Sequence, residues 1–132
     1  MADDHLLSRL ETLALIAVGG FAGSNLRFFA LGHLPEVQAV LLVNVLGSLL
    51  LGFVVYEAQY TGIVDPTARV VLTTGFLSSL TTYSTFALQS ALAGGPLALA
   101  GIVAGNYGLG FAGVLVGRAI ARWVRDGGGG RP

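Results

Sequence analysis

The stretch TTGFLSSLTTYSTF, Thr73 to Phe86, carries a hydroxyl on nine of its fourteen side chains, yet it lies within 48 residues, Val70 to Gly117, that hold no charge. Two uses of those hydroxyls stand. Each Ser or Thr can bond back to the carbonyl four residues earlier, which bends a helix without opening a path. Alternatively, Gly75 with Thr74, Ser78 and Ser79 interrupts the helix around residues 74–81, and backbone freed at membrane depth is tolerated only inside protein or along a wet cavity. Exposed carbonyls there would hold a cation, whereas helix ends and hydroxyl donors would face an anion. Nine hydroxyls in fourteen favour the second use. Tyr83 and Phe86 are three residues apart and share a helix face. Their ring edges are positive and can meet an anion, or the pair is plain packing. Asn44, near the middle of LLVNVLGSLLLG, brings two donors and an acceptor, to join helices or to line a water-filled path. Asn106 in GNYGLG poses the same choice. Arg27 is the one charge well inside a span. It marks an anion path or snorkels to the outer interface.

The elements that must position these residues are membrane helices. Of 132 residues, 54% are hydrophobic and 11% charged, against about 25% charged in soluble domains. A span needs roughly 20 apolar residues, and four such stretches are present, read as helices over about 9–31, 37–60, 67–92 and 97–124. GHLPE, TGIVDP and AGGP connect them. The expected fold is an all-α membrane protein with four transmembrane helices and a break in the third. Residues 1–8 form an acidic N-terminal segment that does not read as a cleaved signal, 9–124 the membrane domain, and 125–132 a flexible Gly-rich tail. With four spans both termini share one side. Arg9, Arg69, Arg118, Arg122, Arg125 and Arg131 all fall there and none opposite, which puts the termini in the cytoplasm of a multi-pass cell-membrane protein. Gly19, Gly20, Gly23, Gly47, Gly52 and the fourth-span glycines from Gly101 to Gly117 allow close helix approach. Four short helices enclose little, so a dimer is expected, with these glycines helping to form its interface. There is no cysteine, and His5 and His33 sit at a terminus and a loop. No metal cluster or catalytic triad emerges, and the chain does not read as an enzyme.

Three motifs in order, over essentially the whole membrane part, resemble the fluoride channel family (Fluc/CrcB). They are GGFAGSNLR with Gly19, Gly20, Gly23 and Arg27, NVLGS with Asn44 and Gly47, and GFLSSLTTYSTF. The resemblance implies an antiparallel dimer with two pores that pass fluoride passively out of the cytoplasm and relieve its toxicity. It implies that Tyr83 and Phe86 line the ion path by their ring edges and that Arg27 and Asn44 serve conduction. Asn106 then joins a fourth-helix polar track, and the carbonyls of Ser78 and Thr81 hold a sodium ion at the third-helix break. Thr82, Ser84 and Thr85 are candidate donors replacing the water shell of a small, tightly hydrated ion. Tyr83 stands where the family usually has Phe, Val40 where a threonine is frequent, Ser78 where Gly is frequent, and Gln89 where some members carry Glu. The one-sided arginines suit a heterodimer with an oppositely oriented paralogue, since a chain that inserts both ways needs little bias. Two alternatives remain. A small multidrug-type exporter has a similar layout but needs a carboxylate deep in the membrane, and Glu11, Glu36 and Glu57 lie near span ends. A non-conducting partner subunit is the other.

Overall fold

A computed structural model describes residues 2–128, with side chains described for 5–127. Two long helices, α1 (Ala2–His33) and α2 (Glu36–Tyr60), are followed by α3 (66–80), α4 (Tyr83–Ala91) and α5 (96–128). Local chemistry sets each boundary. Pro35, at φ −54° and ψ 138°, is extended and opens α2. Beyond Tyr60, the amides of Thr61 and Gly62 both donate to the Glu57 carbonyl, and Gly62 takes φ +63°, a left-handed exit that suits glycine. Asp65 caps α3, its Oδ1 accepting from the amides of Thr67 at 2.8 Å and Ala68 at 3.1 Å, with Pro66 in the first helical position. Ahead of α5, Gly95 turns the chain at φ +156° without a side-chain cap, and Pro96 again takes the first helical position.

Two helices outrun the apolar stretches that announced them. α1 is helical from Ala2, because HLLSRLE holds no Gly or Pro to stop it, and α5 continues to 128. Residues 125–128 of the expected flexible tail are thus helical, and the remainder of that tail lies outside the described residues. The turn from Val71 to Leu77 in α3, and that from Gly105 to Leu109 in α5, are π-wound. Such wider turns commonly occur at functional positions.

Glycine contacts organise the helices into two pairs. In the first, a Cβ at Gly19 would lie 2.8 Å from the Val71 carbonyl and one at Gly75 2.6 Å from the Ile16 carbonyl, so α1 and α3 touch backbone to backbone. In the second, a Cβ at Gly52 would lie 2.7 Å from the Val114 carbonyl and one at Gly117 2.6 Å from the Phe53 amide, which joins α2 to α5. The contacts advance together, from Gly19 at Val71 to Gly23 at Leu80 in the first pair and from Gly113 at Leu49 to Gly117 at Phe53 in the second, so each pair runs parallel. Most of the small residues expected at a dimer interface therefore build the single chain, while Gly101 and Gly108 have nothing within 4 Å. The pairs meet over a small cluster of Val43, Leu77 and Leu80, flanked by Ala30 and Phe76. Elsewhere large apolar side chains such as Phe21, Phe28, Leu92 and Leu97 are exposed. The stretches His5–His33, Glu36–Tyr60 and Pro96–Gly127 are each long and apolar enough to cross a bilayer. The chain is an all-helical, multi-pass membrane protein.

Candidate functional site

Between α3 and α4 two residues are extended: Thr81 at φ −76°, ψ 158° and Thr82 at φ −146°, ψ 115°. Non-helical backbone of this kind needs new partners, and Asn44 of α2 supplies them. Its Oδ1 accepts from the Thr82 amide at 2.8 Å, and its Nδ2 donates to the Thr82 carbonyl at 3.2 Å and to Asn106 Oδ1 at 3.1 Å. The Asn44 side chain thus behaves toward Thr82 as a neighbouring peptide group would. Asn106 in turn donates from Nδ2 to the Ile102 carbonyl at 3.0 Å. One amide pair ties α2, the extended residues and the π-wound turn of α5 together, and both Nδ2 hydrogens of Asn44 are engaged. Arg27 reaches the same place from α1, donating to the Thr81 carbonyl at 3.1 Å. Among the described residues no carboxylate pairs with it.

The hydroxyl-rich stretch spends much of its capacity on its own backbone. Thr73 donates to the Arg69 carbonyl, Ser78 to Thr74 and Thr81 to Leu77, each bonding back four residues. Thr82 Oγ1 caps α4 by accepting from the Thr85 amide at 3.2 Å, donates to Thr85 Oγ1 at 3.0 Å, and lies 3.3 Å from Ser84 Oγ. Thr82, Ser84 and Thr85 therefore form one capping cluster at the head of α4. The amide of Thr82, which would have closed a helical bond to the Ser78 carbonyl, has gone to Asn44.

A groove of about 580 Å³ runs beside this knot, and Asn44, Ser78, Thr81, Thr82, Tyr83, Phe86 and Asn106 all border it. Arg27 borders a separate recess of about 400 Å³ with Ser24, Asn25, Phe28 and Leu31, while Ser84 and Thr85 border neither. The aromatic pair divides: Phe86 is buried and Tyr83 is exposed, their centroids 5.8 Å apart. Phe86 also meets Tyr107 edge to face, at 5.7 Å and 86°. Tyr107 and Ser48 are groove residues the sequence reading passed over. Ser48 sits one turn from Asn44 on the same face and Tyr107 directly follows Asn106, so helical spacing from the two asparagines was the available signal. Val40 is fully buried away from the groove. Gln89, one turn past Phe86, is buried with neither amide atom hydrogen-bonded. Among the described residues no charged side chain lines the groove. Neutral amides, hydroxyls and aromatic rings border it beside apolar walls.

Residues 14–118 match the family model described as CrcB-like protein, Camphor Resistance (CrcB). The chain is also similar to three curated proteins that carry the name fluoride-specific ion channel FluC. It is 49% identical to FluC 1 of Haloarcula marismortui over 97% of this chain and 99% of that one. It is 46% identical to FluC 1 of Natronomonas pharaonis over 86% and 96%. To FluC 2 of Methanosarcina mazei it is 37% identical over 86% and 89%. The matched span takes in Arg27, Asn44, the extended residues, Phe86 and Asn106, and the chain belongs to the CrcB family.

Proposed function

We propose that this chain is a subunit of a fluoride-specific ion channel that lets fluoride leave the cytoplasm passively and so reduces its toxicity. The observation that carries this reading is the likeness to relatives of that name over nearly the full chain, with the asparagine–aromatic groove inside the matched span. Fluoride holds water tightly, so a path must offer fixed replacements that still release the ion. Phe86, Tyr83 and Tyr107 supply ring edges, Ser48 a hydroxyl, and Asn44 with Asn106 the amide pair that fixes the surrounding backbone.

The groove is open along one side, and Tyr83, Tyr107 and Phe111 stand exposed at its rim. An antiparallel dimer covers that rim, and the six arginines on one side favour a partner of opposite orientation over a second copy inserted upside down. The proposed sodium site at the carbonyls of Ser78 and Thr81 draws support from Ser78, whose carbonyl loses its helical donor when the Thr82 amide turns to Asn44. The guanidinium of Arg27 at the Thr81 carbonyl weighs against a cation there, since one lone pair is taken and the charges repel. Replacing sodium by an organic cation therefore tests the site by itself: a site that holds sodium loses thermal stability in the exchange.

The channel reading is tested with the purified dimer, including its partner where one is needed, in liposomes loaded with fluoride. Fluoride should leave rapidly on addition of an ionophore that balances charge, while chloride stays. A verified intact dimer that passes no fluoride would make this chain a non-conducting subunit.

A further inference from the structure

At the end of α5 three arginines occupy one face, at positions 118, 122 and 125. The Nε atoms of Arg118 and Arg122 both donate to the Tyr60 hydroxyl, each at 3.3 Å. The Arg118 guanidinium lies 5.0 Å from the Tyr56 ring centre and that of Arg125 5.1 Å from the Tyr60 ring centre. Two tyrosines of α2 thus hold three guanidinium groups in place. Only Arg125 has a carboxylate beside it, Asp126 at 2.8 Å. Among the described residues no carboxylate pairs with Arg118 or Arg122, and the nearby Glu57 is engaged with Arg69. With Nε spent on Tyr60, each of these two arginines keeps its terminal N–H donors for another acceptor. The depth is that of the membrane surface. Leu115, Val116 and Ile120 are exposed apolar neighbours, Trp123 stands exposed in the next turn, and indole rings favour the headgroup level.

We infer that Arg118 and Arg122, held by Tyr60, bind a phosphate-bearing anion at the membrane surface. A planar guanidinium presents paired donors that match phosphate oxygens, and two uncompensated charges at headgroup level make such an anion the fitting counter-ion. The acidic phospholipid of the surrounding leaflet and free phosphate share this chemistry.

The assembled protein in a neutral detergent, offered phosphatidylglycerol, phosphatidylcholine or inorganic phosphate, tests the site by native mass spectrometry and thermal stability. Wild-type protein should retain phosphatidylglycerol over phosphatidylcholine, and R118Q/R122Q should retain it roughly thirtyfold less, as two arginines at a charged surface warrant. Tyr60→Phe removes the shared acceptor while keeping both charges, and should weaken retention about two- to threefold. Where the double variant fails to assemble, R122Q alone, at an exposed position, carries the same comparison. Protection by inorganic phosphate alone, lost in the variants, supports the same site with a free anion as its source. Equal retention of both lipids, or of phosphatidylglycerol by wild type and variants, with no response to phosphate, overturns the inference.

Discussion

Asn44 and Glu57 lie thirteen residues apart on α2 and do similar work with different chemistry. Each receives backbone N–H groups from a segment that has stopped being helical. Asn44 takes the amide of Thr82, returns one N–H to the Thr82 carbonyl and gives the other to Asn106 Oδ1. Glu57, buried at 2% exposure, takes the amides of Ile63 at 2.5 Å and Val64 at 3.1 Å, the Thr61 hydroxyl at 2.9 Å, and Arg69 at 3.4 Å. The neutral amide both accepts and donates, as the free amide and carbonyl of Thr82 together require. The carboxylate serves near the end of the span, where only acceptors are required and a counter-ion can reach it. The groups left unpaired thus select between two ways of tying down non-helical backbone. Glu57 is also the one charged residue that is fully buried among those described, and its ion pair at the end of α2 leaves no deep free carboxylate for drug–proton exchange.

The strongest way to break the comparison is Glu57→Leu, which strands two amides and Arg69 together. It should destabilise the folded chain by ~3–5 kcal/mol in reversible unfolding in mixed micelles. Glu57→Gln, which keeps an acceptor for both amides, should lose less than half of that. Equal losses would mean that the ion pair, and not the amide bonding, carries the site. Asn44→Leu comes next, at ~2–3 kcal/mol, because it leaves the Thr82 amide without its acceptor. It should also abolish fluoride flux, whereas Glu57→Gln leaves flux near wild type in the same liposome assay. Loss of flux in both would erase the distinction between pore-side and surface-side ties. The smallest effect, of opposite sign, belongs to Gln89→Leu. Its amide has no partner among the described residues, so removing it should stabilise by about 1 kcal/mol by the same measurement. A clear destabilisation would reveal a partner for Gln89 in the assembled channel.

What the sequence disclosed about these regions was uneven, for physical reasons. The long apolar helices, three of them able to cross a bilayer, and the hydroxyl-rich third stretch were legible because apolar runs and polar intrusions are local signals. Asn44 and Phe86 could be singled out for the same reason. The partner of Asn44 could not, since Thr82 lies 38 residues away and is recognised through its backbone, which every residue shares. Counting hydroxyls also overstated what was free for a ligand, because Thr82, Ser84 and Thr85 are drawn into a cap that depends on where the helix restarts. Residues 74–80, expected to be interrupted around Gly75, are helical, since Gly75 is used for contact with α1, and the extended residues are Thr81 and Thr82. Glu57 read only as a span-end charge, since nothing local reveals that the following loop turns its amides back onto it.

The pairing of α2 with α5 has a consequence for biosynthesis. A ribosome releases α2 long before the segment that must lie against it, so Gly52 and Gly117 come together only once the last span has entered the membrane. Asn44 likewise waits for Asn106. A nascent chain halted after Ala91 would hold α1 and α3 but lack half of its central amide pair.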